Sequence, residues 1–258
     1  MRSIWNGSVS FGLVSIPIKL FSASEDRKID LDMLDRHDNA RIRYKRINED
    51  TGKEVAWKDI VKGYKMDDEY VVLEKEDFEI ANMKKSKTID IEEFVAEKEV
   101  SDLLFKKPYF LQPQKDGEKS YNLLRNALKK TKKLGIATFV MRQKEHLSLI
   151  GVYENTLVLH VIRFADEIRD PSELKIPKSK VSKKEIDMAL SLIDNYTAKF
   201  ELDKYEDVYN DQLMKIIERK KSGKKVKPKK HKSEPTKATD LMAKLKASLE
   251  AKKKSKAS

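Results

Sequence analysis

Apolar and polar residues alternate through Val9, Phe11 and Leu13, then resume one step out of phase as Ile16, Ile18 and Leu20. Successive side chains of a strand point to opposite faces, so this period of two predicts strands with one buried side. The slip at Val14-Ser15, beside Gly12 and Pro17, predicts a bulge or a bend between two strands. Similar patterns predict strands over residues 41–47, 70–74, 88–95, 136–142, 147–153 and 156–164. The last three follow one another closely, with joins at His146-Leu147 and Glu154-Asn155, as in an antiparallel meander.

Helical spacing appears between and after these strands. Asp116-Gly117 signals a turn, and Ser120 is a candidate N-cap for a helix reaching about residue 132. Tyr121, Leu124 and Leu128 form its apolar stripe, with Leu123 and Ala127 expected to widen it. After Pro177 the pattern becomes helical throughout. Ser182 and Glu185 have the spacing of a capping box, ahead of Ile186, Ala189, Leu190 and Ile193. A second helix is expected to carry Tyr205, Val208, Tyr209, Leu213 and Ile216. A Lys-rich linker over residues 219–237, interrupted by Gly223, Pro228 and Pro235, cannot bury enough apolar surface to offset its ordering entropy. Residues 240–250 regain a short helical pattern through Leu241, Met242, Leu245 and Leu249, a segment too short to be stable alone.

Charge sharpens this division. The chain of 258 residues carries a net charge of +12. Residues 219–258 hold 16 Lys/Arg against 3 Asp/Glu, whereas residues 1–218 hold 39 against 40. A basic tail on a nearly neutral body reads as a polyanion-binding appendage. The tail lacks the aromatic-rich amphipathic face of a membrane anchor, so no membrane partner is expected. Nothing resembles a signal peptide or a membrane span, which makes a cytoplasmic, nucleoid-associated protein the expectation.

Candidate chemistry is sparse. The chain has no Cys, no Gly-x-x-x-x-Gly-Lys loop and no Gly-x-Gly. His37, His146, His160 and His231 fall in unrelated contexts without metal-ligand spacing. Lys115-Asp116-Gly117 reads as a polar turn, and Asp67-Asp68-Glu69 and Glu92-Glu93 as solvated acidic runs. No catalytic residue, metal site or cofactor is expected. Backbone-directed nucleic-acid binding has more support. Arg41, Arg43 and Lys45 alternate on one side of a presumed strand, with Arg46 adjoining, which suits phosphates and carries no base-reading information; an ordinary solvated strand face explains them equally well. Lys129, Lys130, Lys132 and Lys133 cluster at a helix end, where a solvated terminus explains them better than a DNA contact does. In the tail the candidates are Arg219, Lys220, Lys221, Lys224, Lys225, Lys227, Lys229, Lys230 and Lys232.

The segment MRSIWNGSVSFGLVSIPIKLF closely resembles the opening of the bacterial Ku proteins, which bind DNA double-strand ends in non-homologous end joining. The resemblance continues through Arg41-Ile42-Arg43-Tyr44-Lys45-Arg46, Asp59-Ile60-Val61-Lys62-Gly63-Tyr64 and Pro108-Tyr109-Phe110-Leu111. It then covers Ser120-Tyr121-Asn122-Leu123-Leu124, Asp166-Glu167-Ile168-Arg169 and Lys204-Tyr205-Glu206-Asp207. It departs at Asn48 and Thr51, where many members carry a Cys-x-x-Cys pair; neither residue supplies a thiolate to zinc. The resemblance implies a mainly β fold: a Ku-core β-barrel with bridging segments, a helical C-terminal arm and a disordered basic tail. The corresponding boundaries are 1–180, 181–218 and 219–258.

Such proteins are homodimeric rings without catalytic activity. They thread duplex DNA from an open end and recruit the ATP-dependent DNA ligase D. By the same resemblance, residues 200–219 correspond to the arm that embraces the partner subunit, with Phe200, Tyr205, Tyr209, Leu213 and Ile216 as candidate dimer contacts. Leu241, Met242, Leu245 and Leu249 are the candidate contacts to the ligase. A non-threading, nucleoid-associated DNA-binding protein is the alternative reading of the charge pattern.

Overall fold

In the computed structural model, residues 1–81, 87–142, 144–224, 243–248 and 250 are described. The phase slip near the N-terminus is a bend between two strands. Strand β1 (Trp5–Phe11) pairs antiparallel with β2 (Val14–Ser22), and Phe11 faces Val14 across a two-residue turn. Gly12 takes a φ of +57° there, which costs glycine little, and Leu13 is fully exposed rather than part of the buried set. Val9, Ile16, Ile18 and Leu20 are completely buried, as the alternation requires.

Five more strands close the sheet: β5 (Thr88–Ala96), β6 (Phe105–Pro113), β7 (Lys133–Met141), β8 (Lys144–Tyr153) and β9 (Thr156–Ile162). The barrel order is β1-β2-β6-β9-β8-β7-β5, closed by a parallel β1–β5 seam in which Ser8 faces Thr88. Closure removes sheet edges, and the interior fills with side chains such as Ile89, Leu111, Ile150, Leu157 and Leu159. The meander β7–β8–β9 is antiparallel as expected. Its first join lies earlier, however, since Met141 pairs with Lys144 and His146-Leu147 lies inside β8. Strand β6 had no alternating signal, because Lys106, Lys107 and Pro108 open it; a register shift between Phe105 and Lys107 accommodates them.

Both ends of the barrel are defined by the strand pairings. One end holds the finish of β6 and β8 and the start of β7 and β9. Helix α2 (Glu118–Thr131) bridges β6 to β7 across this end. Its N-cap is Gly117, not Ser120, because the Asp116-Gly117 turn leads directly into the first helical turn. Tyr121, Leu124 and Leu128 join the barrel core. Leu123 and Ala127 do not widen that stripe. They face outward and, with Phe11 and Phe94, line a surface groove of about 310 Å³.

Tyr121 fastens the helix. Its hydroxyl donates to Leu111 O at 2.7 Å, accepts from the Leu157 backbone N–H at 2.7 Å, and lies 2.9 Å from Thr156 Oγ1. Tyr121→Phe strips all three contacts from a buried site, so it should destabilise the protein by about 1–3 kcal/mol in urea unfolding. A change within about 0.3 kcal/mol would mean that the hydroxyl network does not fasten α2.

At the opposite end β2 finishes beside Tyr109 and β5 begins near Thr138. Residues 23–87 therefore leave and return at the same end. This insertion contains a hairpin of β3 (Lys62–Met66) and β4 (Glu69–Leu73), turned by Asp67 and Asp68 at positive φ, then α1 (Lys75–Ala81). None of its described residues is buried. The acidic run at residues 67–69 is thus largely a tight turn.

The chain divides into two units, Met1–Pro171 and a second beginning at Ser172. In the second, α3 (Lys183–Tyr196) starts with the expected capping box: Ser182 Oγ accepts from Glu185 N, and Glu185 Oε2 accepts from Ser182 N at 2.8 Å. Helix α4 (Val208–Lys221) is capped by Asp207. Residues 243–248 are helical, in line with the short C-terminal pattern.

Candidate nucleic-acid interface

The Arg-rich segment lies in the insertion and is not a strand. Single bridges, Leu34 to Arg41 and Ile47 to Glu54, flank it, and among the described residues no strand pairs with residues 42–46. Without a ladder, the sequence alternation imposes no common face. Ile42 and Tyr44 are exposed accordingly, with the Tyr44 hydroxyl donating to Met33 Sδ at 3.2 Å. The cations are partly engaged: Arg41 pairs with Asp32 at 2.6 Å, Lys45 with Glu54 at 2.8 Å, and Arg46 stacks 4.5 Å above the Trp57 ring. Among the described residues no ion pair engages Arg43. Exposed pairs of this kind contribute roughly 0–1 kcal/mol, so a phosphate can displace the carboxylates at small cost.

Asn48 organises the next turn. Its Oδ1 accepts from the N–H groups of Asp50 and Thr51 at 3.1 and 2.9 Å, and from Thr51 Oγ1 at 3.1 Å. Gly52, at a φ of +64°, completes the reversal with its N–H on Asn48 O. Hydrogen bonds to Asn48 thus close this turn. Among the described residues no group of three or more His, Asp or Glu is placed to hold a metal.

Lys129 and Lys130 form the last turn of α2, Lys132 is its left-handed C-cap, and Lys133 opens β7. This cluster therefore sits at the α2-covered end, opposite the end from which the insertion departs. Arg219, Lys220 and Lys221 are not linker residues, because α4 continues through Lys221; Lys224 follows it. Lys225, Lys227, Lys229, Lys230 and Lys232 lie outside the described residues, as do Leu241, Met242 and Leu249. Leu245 is half-buried within residues 243–248.

The arm residues are accessible. Tyr205 precedes α4 instead of belonging to it, since Asp207 accepts the Asn210 N–H and starts the helix later. Its ring stacks on Phe200 with centroids 6.1 Å apart. Phe200, Tyr205 and Tyr209 are each more than 70% exposed (73%, 73% and 72%), while Leu213 and Ile216 are half-buried. Neither α3 nor α4 buries a residue.

A second basic group was not legible in the sequence. Lys106 and Lys107 open β6, Arg142 follows β7 and Lys144 opens β8, so topology gathers them where the insertion departs. Lys106 pairs with Glu167 at 2.6 Å and, through that hydrogen bond, holds the carboxyl below its ordinary range. Burial lowers the pKa of His146, and the charges of Lys144 and Lys106 act in the same direction. His160, on β9, is half-buried with its ring edge-on to Phe105, and burial lowers its pKa as well.

A closed barrel with one long insertion leaving from a single end defines the class of protein, a β-barrel domain carrying a bridge. Residues 10–188 match the family described as the Ku70/Ku80 beta-barrel domain. The chain belongs to the Ku family. It is similar to the non-homologous end joining protein Ku of Coxiella burnetii, at 38% identity over 99% of this chain and 96% of that one. The proteins of the same name from Bacillus subtilis and Archaeoglobus fulgidus are 39% and 38% identical, over 97% of this chain in both cases and 82% and 99% of theirs. Neither the family description nor these names carries an enzymatic activity. Among the described residues no helix is long and apolar enough to cross a membrane.

Proposed function

We propose that the chain binds double-stranded DNA ends without sequence preference, as a ring of two copies, and recruits an ATP-dependent DNA ligase, ligase D, in non-homologous end joining. One observation carries the reading: residues 23–87 leave and return at one barrel end, carry cations and aromatic rings, and bury none of their described side chains. A segment with so little core of its own is suited to wrapping a macromolecule, and its partly engaged cations suit phosphates in any sequence. The arm contributes the second-copy contact through its exposed aromatic rings, and the C-terminal segment contributes the ligase contact. Catalysis belongs to the ligase. The protein acts in the cytoplasm at the nucleoid.

Blocking both ends of a duplex tests this directly. Open duplexes of equal length and different sequence should bind with similar affinity, whereas the same duplex closed at both ends by bulky hairpins should bind at least about tenfold more weakly (~1.4 kcal/mol). Equal binding to open and blocked duplexes would favour the nucleoid-associated alternative.

A further inference from the structure

Residues 46–57 keep a defined shape without a core. None of the described residues of the insertion is buried, so packing does not fix the path of its Arg-rich limb. Asn48 fixes it with three groups at once. Its Oδ1 accepts from the Asp50 and Thr51 N–H groups and from the Thr51 hydroxyl. Its own N–H donates to Lys53 O at 2.8 Å, and its carbonyl accepts from the Gly52 N–H at 2.9 Å. The reversal lays residues 45–47 against 54–57. Val55 N–H then reaches Arg46 O at 2.9 Å, Lys45 meets Glu54, and Arg46 lies over the Trp57 ring. Asn48 and Thr51 stand where many members of the family carry a Cys pair, and their donors do not fit a metal. Asn48 Oδ1 already accepts three hydrogen bonds, one of them from the Thr51 hydroxyl, and neither residue offers a thiolate.

We propose that Asn48 is the positioning residue of the insertion: a hydrogen-bonded clasp that sets Lys45 and Arg46 in one arrangement before DNA arrives, and does so without a metal. This rests on the ring reading above, in which the insertion encloses the duplex. Asn48 itself needs no contact with DNA. A limb already held in shape loses less conformational freedom on binding than the same residues on a free loop, so the clasp raises affinity without adding a charge. Charge and shape therefore have separate origins here, and a substitution at 48 changes the second alone. Asp in place of Asn48 retains the accepting oxygen that such a turn needs, whereas Ala removes it.

The test uses full-length wild type, Asn48→Ala and Asn48→Asp. Trypsin cleavage after Lys53, whose carbonyl accepts the Asn48 N–H, is followed by mass spectrometry with and without a metal chelator. Affinity for a linear duplex and for a closed circle of the same sequence is measured across salt concentrations, with thermal melting as the folding control. Asn48→Ala should melt like wild type, because the barrel core lies elsewhere, and should be cut after Lys53 at least about fivefold faster. It should bind the linear duplex about tenfold more weakly, with a salt slope within about half a unit of wild type because every cation remains. Asn48→Asp should restore slow cleavage, and the chelator should leave wild type unchanged. If Asn48→Ala is cut and binds like wild type, or Asn48→Asp is cut as fast as Asn48→Ala, Asn48 is not the clasp. Loss of a full unit of slope or more in Asn48→Ala would assign the effect to lost phosphate contacts instead of shape. Faster cleavage of wild type with the chelator would place a metal in the turn. If wild type shows no preference for linear DNA the ring reading fails, and the cleavage rates still decide the clasp.

Discussion

Truncation after Lys224 should cut DNA affinity at least about tenfold at physiological salt and flatten its salt dependence. The deletion removes 12 Lys against 3 acidic residues from the chain. Each cation that reaches a phosphate contributes about 0.9 to the slope of log affinity against log salt, so engagement of half of them predicts a loss of about five units. Helix α4 ends at Lys221 and stays intact, as does the barrel with its insertion. Preference for open over closed DNA should therefore persist in the truncated protein. Loss of that preference on truncation, with its retention by the isolated tail, would assign end recognition to the tail instead of the ring.

Leu213→Asp with Ile216→Asp should give the other large effect. These positions are half-buried on α4, which also carries the exposed ring of Tyr209. A carboxylate forced into an apolar interface costs several kcal/mol unless it finds a partner, and a two-fold interface suffers the loss twice. Wild type should sediment as a dimer at micromolar concentration and the double variant as a monomer. Its affinity for open ends should fall about a hundredfold, equivalent to ~2.7 kcal/mol. A variant that stays dimeric, or a monomer that grips ends normally, would remove the arm from ring closure.

The barrel was legible where strands alternate against a buried face, and much of the site was not. Val9, Ile16, Ile18 and Leu20 announce β1 and β2, because interior positions of a barrel tolerate little but apolar side chains. The same period of two misled at residues 41–47, where the alternation is genuine but no strand among the described residues pairs with it. Strand β6 hid for the opposite reason: its opening Lys106-Lys107-Pro108 sits at a barrel end where polar residues and a register shift are tolerated. On α2 the buried stripe is narrower than helical periodicity predicts, since Leu123 and Ala127 face an outer groove that periodicity cannot distinguish from a core. Local signals did well where the chemistry is local. The Ser182–Glu185 box formed as its spacing requires. The cluster of Lys107, Arg142 and Lys144 is the clearest loss, because only the strand order brings those positions together.

Threading is the central claim, and topology tests it most directly. The protein is loaded on a linear duplex at low salt, the DNA ends are then joined into a covalently closed circle, and the complex is challenged with high salt. A ring on a closed circle has no end to leave by, so protein should stay on the circle at salt that strips it from the linear form, and cutting the circle once should release it. Release from the circle at the same salt and rate as from the linear duplex would contradict the ring.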